Sequence, residues 1–343
     1  MHQTFEEGVR AVEVIECSRC INDSRNRSIR IDDGLCNVCR DYDEHFDRTE
    51  LDSELEMLKK FISDGNCDCL IGMSGGKDST AMLSSVLELG FHPTAFSFQI
   101  GYNGLTSEVV ENLRAITRQF KVNYEVIDAR EYVTANDRKC FEAMADVYAC
   151  AMSNEMTKEE FREIYFQGRR HYSTKDETVF PFVRPCQICR KIAIRAYYDQ
   201  AVRHGVRVVF IGINEWASKR DCKYSALRRL QPSEGSPPVY IVHLPYLLQR
   251  KYREVLEILR RMSCLDQVLA TQVETGGNSC SLARACEGIA FEMLGFHLDA
   301  ARLSREVTVG FIDRKSARRA VEGGRRRSEK TVREVLTTCE LIN

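Results

Sequence analysis

Residues 67–90 read CDCLIGMSGGKDSTAMLSSVLELG, and this stretch decides the fold class. The short apolar run from Cys69 to Ile71 has the length of a buried strand, and Ala81, Met82, Val86 and Leu87 then recur at helical spacing. Between them the turn Ser74, Gly75, Gly76, Lys77, Asp78, Ser79 opens the helix. A strand, a glycine-rich loop and a helix in that order aim free backbone N–H groups and the positive end of the helix dipole at one point, where an anion binds. Lys77 supplies a cation that can neutralise a phosphate. The loop is not a Walker A, because it lacks the G-x-x-x-x-G-K-[ST] spacing.

The alternation continues outward. PTAFSFQI (93–100) reads as a strand, SEVVENLRAITRQF (107–120) as a helix and NYEVIDA (123–129) as a strand. A polar, helical insertion runs from Glu131 to Thr178, and the pattern resumes with the helix CRKIAIRAYYDQAVRHG and the strand VRVVFIGIN. The loop QPSEGSPP, the strand VYIVHL and the helix KYREVLEILRRM follow. Such alternation predicts an α/β fold, a parallel sheet with helices on both faces. Three regions are expected: a four-cysteine module with a linker helix (1–62), the loop-bearing domain (63–263), and a helical C-terminal tail (264–343) containing a Gly277–Asn278 turn.

With 343 residues, 43% apolar and 29% charged, the chain can bury a large core, which excludes a disordered or fibrous protein. Forty-nine basic against fifty acidic side chains give a net charge of −1, which excludes a surface cationic all over. The first residues carry acids where a signal peptide needs bases, and no stretch of about 18 apolar residues occurs, so a cytoplasmic protein with no membrane partner is expected. Between Ala300 and Glu334, eleven Lys or Arg stand against five Asp or Glu. That surplus reads either as an anion or nucleic-acid patch or as a solvated pair of amphipathic helices.

Fifteen cysteines in a reducing compartment point to metal binding or catalysis in place of disulfides. Cys17, Cys20, Cys36 and Cys39 form two C-x-x-C knuckles around a polar, turn-rich tract, the spacing of a four-cysteine zinc site. Cys186 and Cys189 stand directly before a helix, where a lowered thiol pKa is expected, and Cys264 follows a later helix. Three cysteines leave a coordination position open for chemistry. A redox dithiol, or a second zinc site completed by Cys280 or Cys286, is the other reading of the same residues.

SGGKDS resembles the pyrophosphate loop of the PP-loop ATP pyrophosphatase superfamily, whose members cut ATP between its α and β phosphates to adenylate a substrate. The resemblance implies the adenine nucleotide alpha hydrolase-like fold, ATP and Mg2+ as cofactors, and pyrophosphate cradled by Ser74 to Ser79. It implies an adenine held by backbone near Phe98 to Ile100. It also implies a glycine-led turn near the phosphates, here Gly212, Ile213, Asn214 and Glu215. That turn keeps Gly212 and Asn214 but departs from the usual paired aspartates, which leaves the magnesium ligand open.

RPCQICRKIAIRAYY together with LPYLLQRKYREVLEILRRMSC looks like the cysteine trio of the tRNA 2-thiouridine and 2-thiocytidine synthetases. By that likeness Cys186, Cys189 and Cys264 bind a [4Fe–4S] cluster with one iron open to hold sulfur. With Lys77 and Asp78 they form the catalytic set of an ATP-dependent sulfurtransferase. ECSRC, DDGLCNVC and LGFHLDAARLSREVTVGFIDRKSA are similar instead to the N-acetyl sugar amidotransferases, which transfer ammonia to an activated sugar. Net charge favours a free purine nucleotide as acceptor, as in 6-thioguanine formation, over tRNA. A sulfide or persulfide carrier is then needed as sulfur donor, and a homodimer is left open.

Overall fold

In the computed structural model, which describes residues 13–173, 178–270, 280–323 and 327–343, β1 (Ile31–Asp32) and β2 (Leu35–Cys36) pair as a hairpin that leads into α1 (Asn37–His45). Asp47 caps the next helix, α2 (Arg48–Lys59), through the Thr49 N–H. The central unit then begins with β3 (Cys69–Gly72), α3 (Lys77–Glu88), β4 (Pro93–Gln99), α4 (Ser107–Gln119) and β5 (Asn123–Asp128). α4 forms because Val109, Leu113 and Ile116 make one buried stripe and the Thr106 hydroxyl accepts from the Val109 N–H.

The insertion is two helices, α5 (Ala135–Met152), opened by a Thr134–Asp137 capping box, and α6 (Lys158–Ser173). α7 (Pro185–Arg203) and β6 (Val208–Ile211) follow. Three short strands not read from the sequence come next: β7 (Ser218–Arg220), β8 (Lys223–Ser225) and β9 (Leu227–Leu230). Their charged residues hide an alternation only three or four residues long. β10 (Val239–His243), α8 (Leu244–Leu247), α9 (Tyr252–Arg261) and α10 (Leu265–Ala270) complete the unit. The Gly277–Asn278 turn lies outside the described residues.

The main sheet has the order β5-β4-β3-β6-β10-β9, parallel except for β9, which runs antiparallel to β10 at one edge. β3 and β6 are buried throughout apart from Gly72, as strands covered by helices on both faces must be. Each fully buried Leu, Ile or Phe of this core contributes on the order of 2 kcal/mol. From β3 the chain moves one way to β4 and β5, and from β6 the other way to β10. The carboxyl ends of β3 and β6 therefore flank the topological switch point, where open α/β sheets bind ligands.

The C-terminal helices are α11 (Ser281–Leu294), α12 (Ala300–Thr308), α13 (Arg314–Gly323) and α14 (Val332–Thr338). They are not an appended tail. α11 and α14 share an apolar core with α5 and α6, built on Phe141, Tyr148, Phe161, Leu294 and Leu336. Leu303 and Val307 of α12 and Ala317 and Val321 of α13 pack on the four N-terminal cysteines. Much of the basic surplus is paired inside the protein: Arg314 and Arg318 with Glu16, Arg327 with Glu292, and Arg333 with Asp146. Among the described residues no helix is long and apolar enough to cross a membrane.

Candidate functional site

The loop from Ser74 to Ser79 sits at the switch point. Gly75 has a φ of 79°, and a Cβ there would lie 2.3 Å from Val109 Cγ1, so only glycine fits. The Ser74 N–H donates to Ser79 Oγ at 3.1 Å, and Ser79 Oγ donates to the Gly76 carbonyl at 3.0 Å. Gly76 caps α3 without a side-chain hydrogen bond, which leaves the first N–H groups of the helix available to an anion. Gly212, just past β6, presses on the same loop: a Cβ there would meet Ser79 N at 3.0 Å. A cavity of about 1280 Å³ opens over this point, and it is lined by Ser74, Lys77, Phe98, Asn214, Arg302 and Glu306 among others. The Phe98 carbonyl accepts from the Asn103 side chain, and its ring packs at 5.1 Å on Tyr197.

One wall of the cavity was not legible as functional in the sequence. Arg302, Arg305 and Glu306 project from α12 at i, i+3 and i+4 spacing, on one helix face. Arg305 grips both oxygens of Glu215, one of them at 2.9 Å. Burial alone pushes the Glu215 carboxyl up, but Arg305 outweighs it and holds the group below its ordinary range. The Glu215 carbonyl accepts from His243 Nδ1 at 2.7 Å, and burial pushes that imidazole down to about 4, so it is neutral near pH 7. Asp78 Oδ1 and Asn214 Oδ1 are buried with no hydrogen-bond partner. Orphaned oxygens beside an anion-binding helix start fit a nucleotide that arrives with a hard cation.

The central cysteines are arranged differently from the sequence expectation. Cys186 and Cys189 lie in the first turns of α7, whose N-cap Arg184 makes no side-chain capping hydrogen bond. Cys264 does not join them. It packs in the core shared by α3, α9 and α10, and its nearest polar partner is the Leu259 carbonyl. Cys280, the N-cap of α11, is brought toward the pair by Tyr102, whose carbonyl accepts from the Ser281 N–H at 2.8 Å while its hydroxyl meets Cys189. Tyr102 Oη lies 3.0 Å from Cys189 Sγ, and the Ala283 N–H donates to Cys280 Sγ at 3.4 Å.

Cys286 stands behind this group, buried against Tyr148. The expected lowering of the thiol pKa at the helix start is not found. Burial pushes Cys186 and Cys189 up, and Cys280 up to about 12. Cys186 is exposed and Cys189 and Cys280 are half-buried, and thiols kept protonated in this way gain most from a metal that displaces their protons. Cys186 lies in the field of Arg190 and Arg302, which line the cavity. Cys222 is exposed at the β7–β8 turn, apart from both groups.

The N-terminal four are closed. Cys17, Cys20, Cys36 and Cys39 are fully buried, with Sγ–Sγ distances of 3.9 Å for Cys17–Cys39 and 3.6 Å for Cys20–Cys36. A metal–sulfur bond of about 2.3 Å in tetrahedral geometry places sulfurs about 3.8 Å apart, so the group fits one ion. The backbone N–H of Cys36 points at Cys17 Sγ at 3.3 Å, and Asn22 Nδ2 at Cys36 Sγ at 3.5 Å, as thiolate ligands require. Among the described residues this is the only set of three or more ligating atoms within 4.8 Å of one another. Cys186, Cys189 and Cys280 do not form such a set.

A parallel sheet carries SGGKDS at its switch point, with a cysteine group beside the cleft, an arrangement suited to binding an anionic ligand. No family model matches the chain. It is similar to the tRNA-5-methyluridine(54) 2-sulfurtransferase of Thermotoga maritima, 22% identical over 118 residues, which are 34% of this chain and 37% of that protein. The chain thus spans little more than a third of the curated relative's length. A solved U34-tRNA thiolase from Methanococcus maripaludis, with its [4Fe–4S] cluster, is 15% identical, covers 58% of this chain and 54% of its own, and has a TM-score of 0.24, too low to carry anything over. The sequence likeness to a tRNA sulfurtransferase is confined to those 118 residues.

Proposed function

We propose that the protein is an ATP-dependent sulfurtransferase that adenylates a carbonyl oxygen of a nucleobase and replaces that oxygen with sulfur. The observation that carries this reading is that Tyr102 joins the Cys186–Cys189 turn to the start of α11 at Cys280, beside the cleft that holds the Ser74–Ser79 loop and is lined by Arg190. A carbonyl oxygen is a poor leaving group. In the first step it attacks the ATP α-phosphorus, the bond to the bridging oxygen breaks, and pyrophosphate departs into the loop. Lys77 and the open N–H groups of α3 take up its charge, a preorganised electrostatic role. In the second step sulfide adds to the activated carbon and AMP leaves with the oxygen, so one hard displacement becomes two easier ones.

Phe98, Gly212 and Asn214 border the nucleotide, and Asp78 orients Lys77 through a 3.1 Å ion pair. A [4Fe–4S] cluster held by Cys186, Cys189 and Cys280 brings sulfur chemistry with one iron free of protein. Cys264 is left out of that set. Cys17, Cys20, Cys36 and Cys39 hold a structural zinc ion. The acceptor that the curated relative supports is a base in tRNA, in place of a free purine nucleotide. The compartment is cytoplasmic, where thiols stay reduced.

Ammonia transfer to a sugar is the second reading, from the likeness of the N-terminal knuckles and tail. It gives no role to three thiols gathered beside the cleft. The test incubates the anaerobic protein with ATP, sulfide and either unmodified tRNA or GMP, and digests the products for mass spectrometry. Thiolated nucleoside from tRNA is expected. Thiolated GMP with inert tRNA reverses the acceptor, and pyrophosphate release only with a sugar and ammonia overturns the sulfur reading.

A further inference from the structure

The glycine-led turn after β6 has lost a free carboxylate. Glu215, its acidic residue, is occupied on both oxygens by Arg305. The loop's own acid is half committed: Asp78 Oδ2 pairs with Lys77 at 3.1 Å, while Asp78 Oδ1 is buried and bare. Asn214, 6% exposed, lines the same cavity with its Oδ1 unpartnered. Gly212 lies against Ser79 and the Asp78 carbonyl carbon, which brings the Asn214 turn to the loop.

α12 supplies what the turn lacks. Glu306 is 8% exposed and lines the cavity. Its Oε1 accepts from Arg302 at 2.6 Å. Burial, and then the neighbouring Asp78 and Glu215 carboxylates, push the Glu306 carboxyl up against the pull of Arg302 and Lys77. The buried Glu306 carboxylate, the buried Oδ1 of the half-buried Asp78 and an orphan amide oxygen facing one cleft form an oxygen donor set for a hard divalent cation, and magnesium is commonly held by one or two carboxylates plus substrate phosphates.

We propose that Glu306, Asp78 and Asn214 form the divalent-cation site of the cleft, with the C-terminal helix supplying the acid that the Gly212 turn no longer offers. The inference rests on the ATP reading above. The test measures binding of α,β-methylene ATP by calorimetry in EDTA and in Mn2+, with Mn2+ occupancy read by electron paramagnetic resonance. Wild type binds the analogue in both conditions, and more tightly with Mn2+. Glu306→Gln is expected to bind as wild type does in EDTA and to lose at least about tenfold in Mn2+ affinity, since even outer-sphere partners of a metal are worth about 10–100-fold.

Glu306→Asp keeps the charge, pulls the carboxylate back by one methylene, and carries the test if the Gln variant does not fold. It is expected to weaken Mn2+ binding with the EDTA value unchanged. Wild-type Mn2+ affinity in either folded variant overturns the site. Failure of the wild-type protein to bind the analogue in both conditions contradicts the ATP reading instead.

Discussion

Cys39 Sγ lies 3.2 Å from the Thr308 hydroxyl, a buried contact that joins the N-terminal knuckle to the last residue of α12. The same helix carries Arg302 and Glu306 into the cleft and Arg305 onto Glu215, and the hydroxyl of Thr308 is itself tied to the Ser304 carbonyl at 2.7 Å. The four-cysteine group thereby anchors a wall of the cleft. Stripping its metal with a strong chelator, or replacing Cys17 or Cys39 with Ala, is expected to lower Tm by at least about 3 °C, the shift of about 2 kcal/mol in a chain of this size. Nucleotide affinity should fall with it. Calorimetric scans and ATP titration check both, and a metal-free protein unchanged in Tm and affinity contradicts the anchoring role.

Lys77 and Cys186 separate the two half-reactions. Lys77→Ala is expected to reduce pyrophosphate release about 100-fold, the loss typical of one preorganised electrostatic donor. Cys186→Ala should leave ATP binding intact and abolish thiolated product. Pyrophosphate release and nucleoside analysis on the two variants read the halves independently, and thiolation that persists in the Cys186 variant removes this residue from the chemistry.

The third cysteine is decided by iron content. Cys280→Ser is expected to retain less than half of the wild-type iron after anaerobic reconstitution, whereas Cys264→Ser, altered in a core away from the pair, retains all of it. The reverse pattern restores Cys264 to the trio.

His243 gives a pH dependence with a definite sign. Burial depresses its pKa to about 4 in the folded chain from 6.5, so the unfolded chain takes up the proton first as pH falls. The stability it contributes is full above about pH 6.5 and is lost toward pH 4, amounting to about 3 kcal/mol. Urea midpoints should decline across that window, and less steeply in His243→Asn. An identical slope in the variant assigns the decline to other groups.

The parts of the site that were legible in the sequence are local. Ser74 to Ser79 follow directly on β3, and the two C-x-x-C knuckles close over fifteen residues, so spacing alone places their atoms. Where a partner arrives from far along the chain, spacing does not choose. Cys264 and Cys280 both adjoin helices, and only the packing of α11 on α5 and α6 brings the second to Cys186 and Cys189. Cys280 does carry a local signal, since it stands where a helix N-cap is needed before the run Leu282, Ala283, Ala285, Cys286 and Ile289. The α12 wall was hidden for the opposite reason: an Arg-rich amphipathic helix reads as a solvated surface until its apolar face finds the knuckle.

The most direct test of sulfur chemistry at this cleft is metal and sulfide analysis of the protein purified without oxygen, together with its visible spectrum. About four irons and four sulfides per chain, a broad band near 400 nm, and one zinc are expected. One zinc with no iron after anaerobic reconstitution would contradict the account and leave ammonia transfer as the reading to pursue.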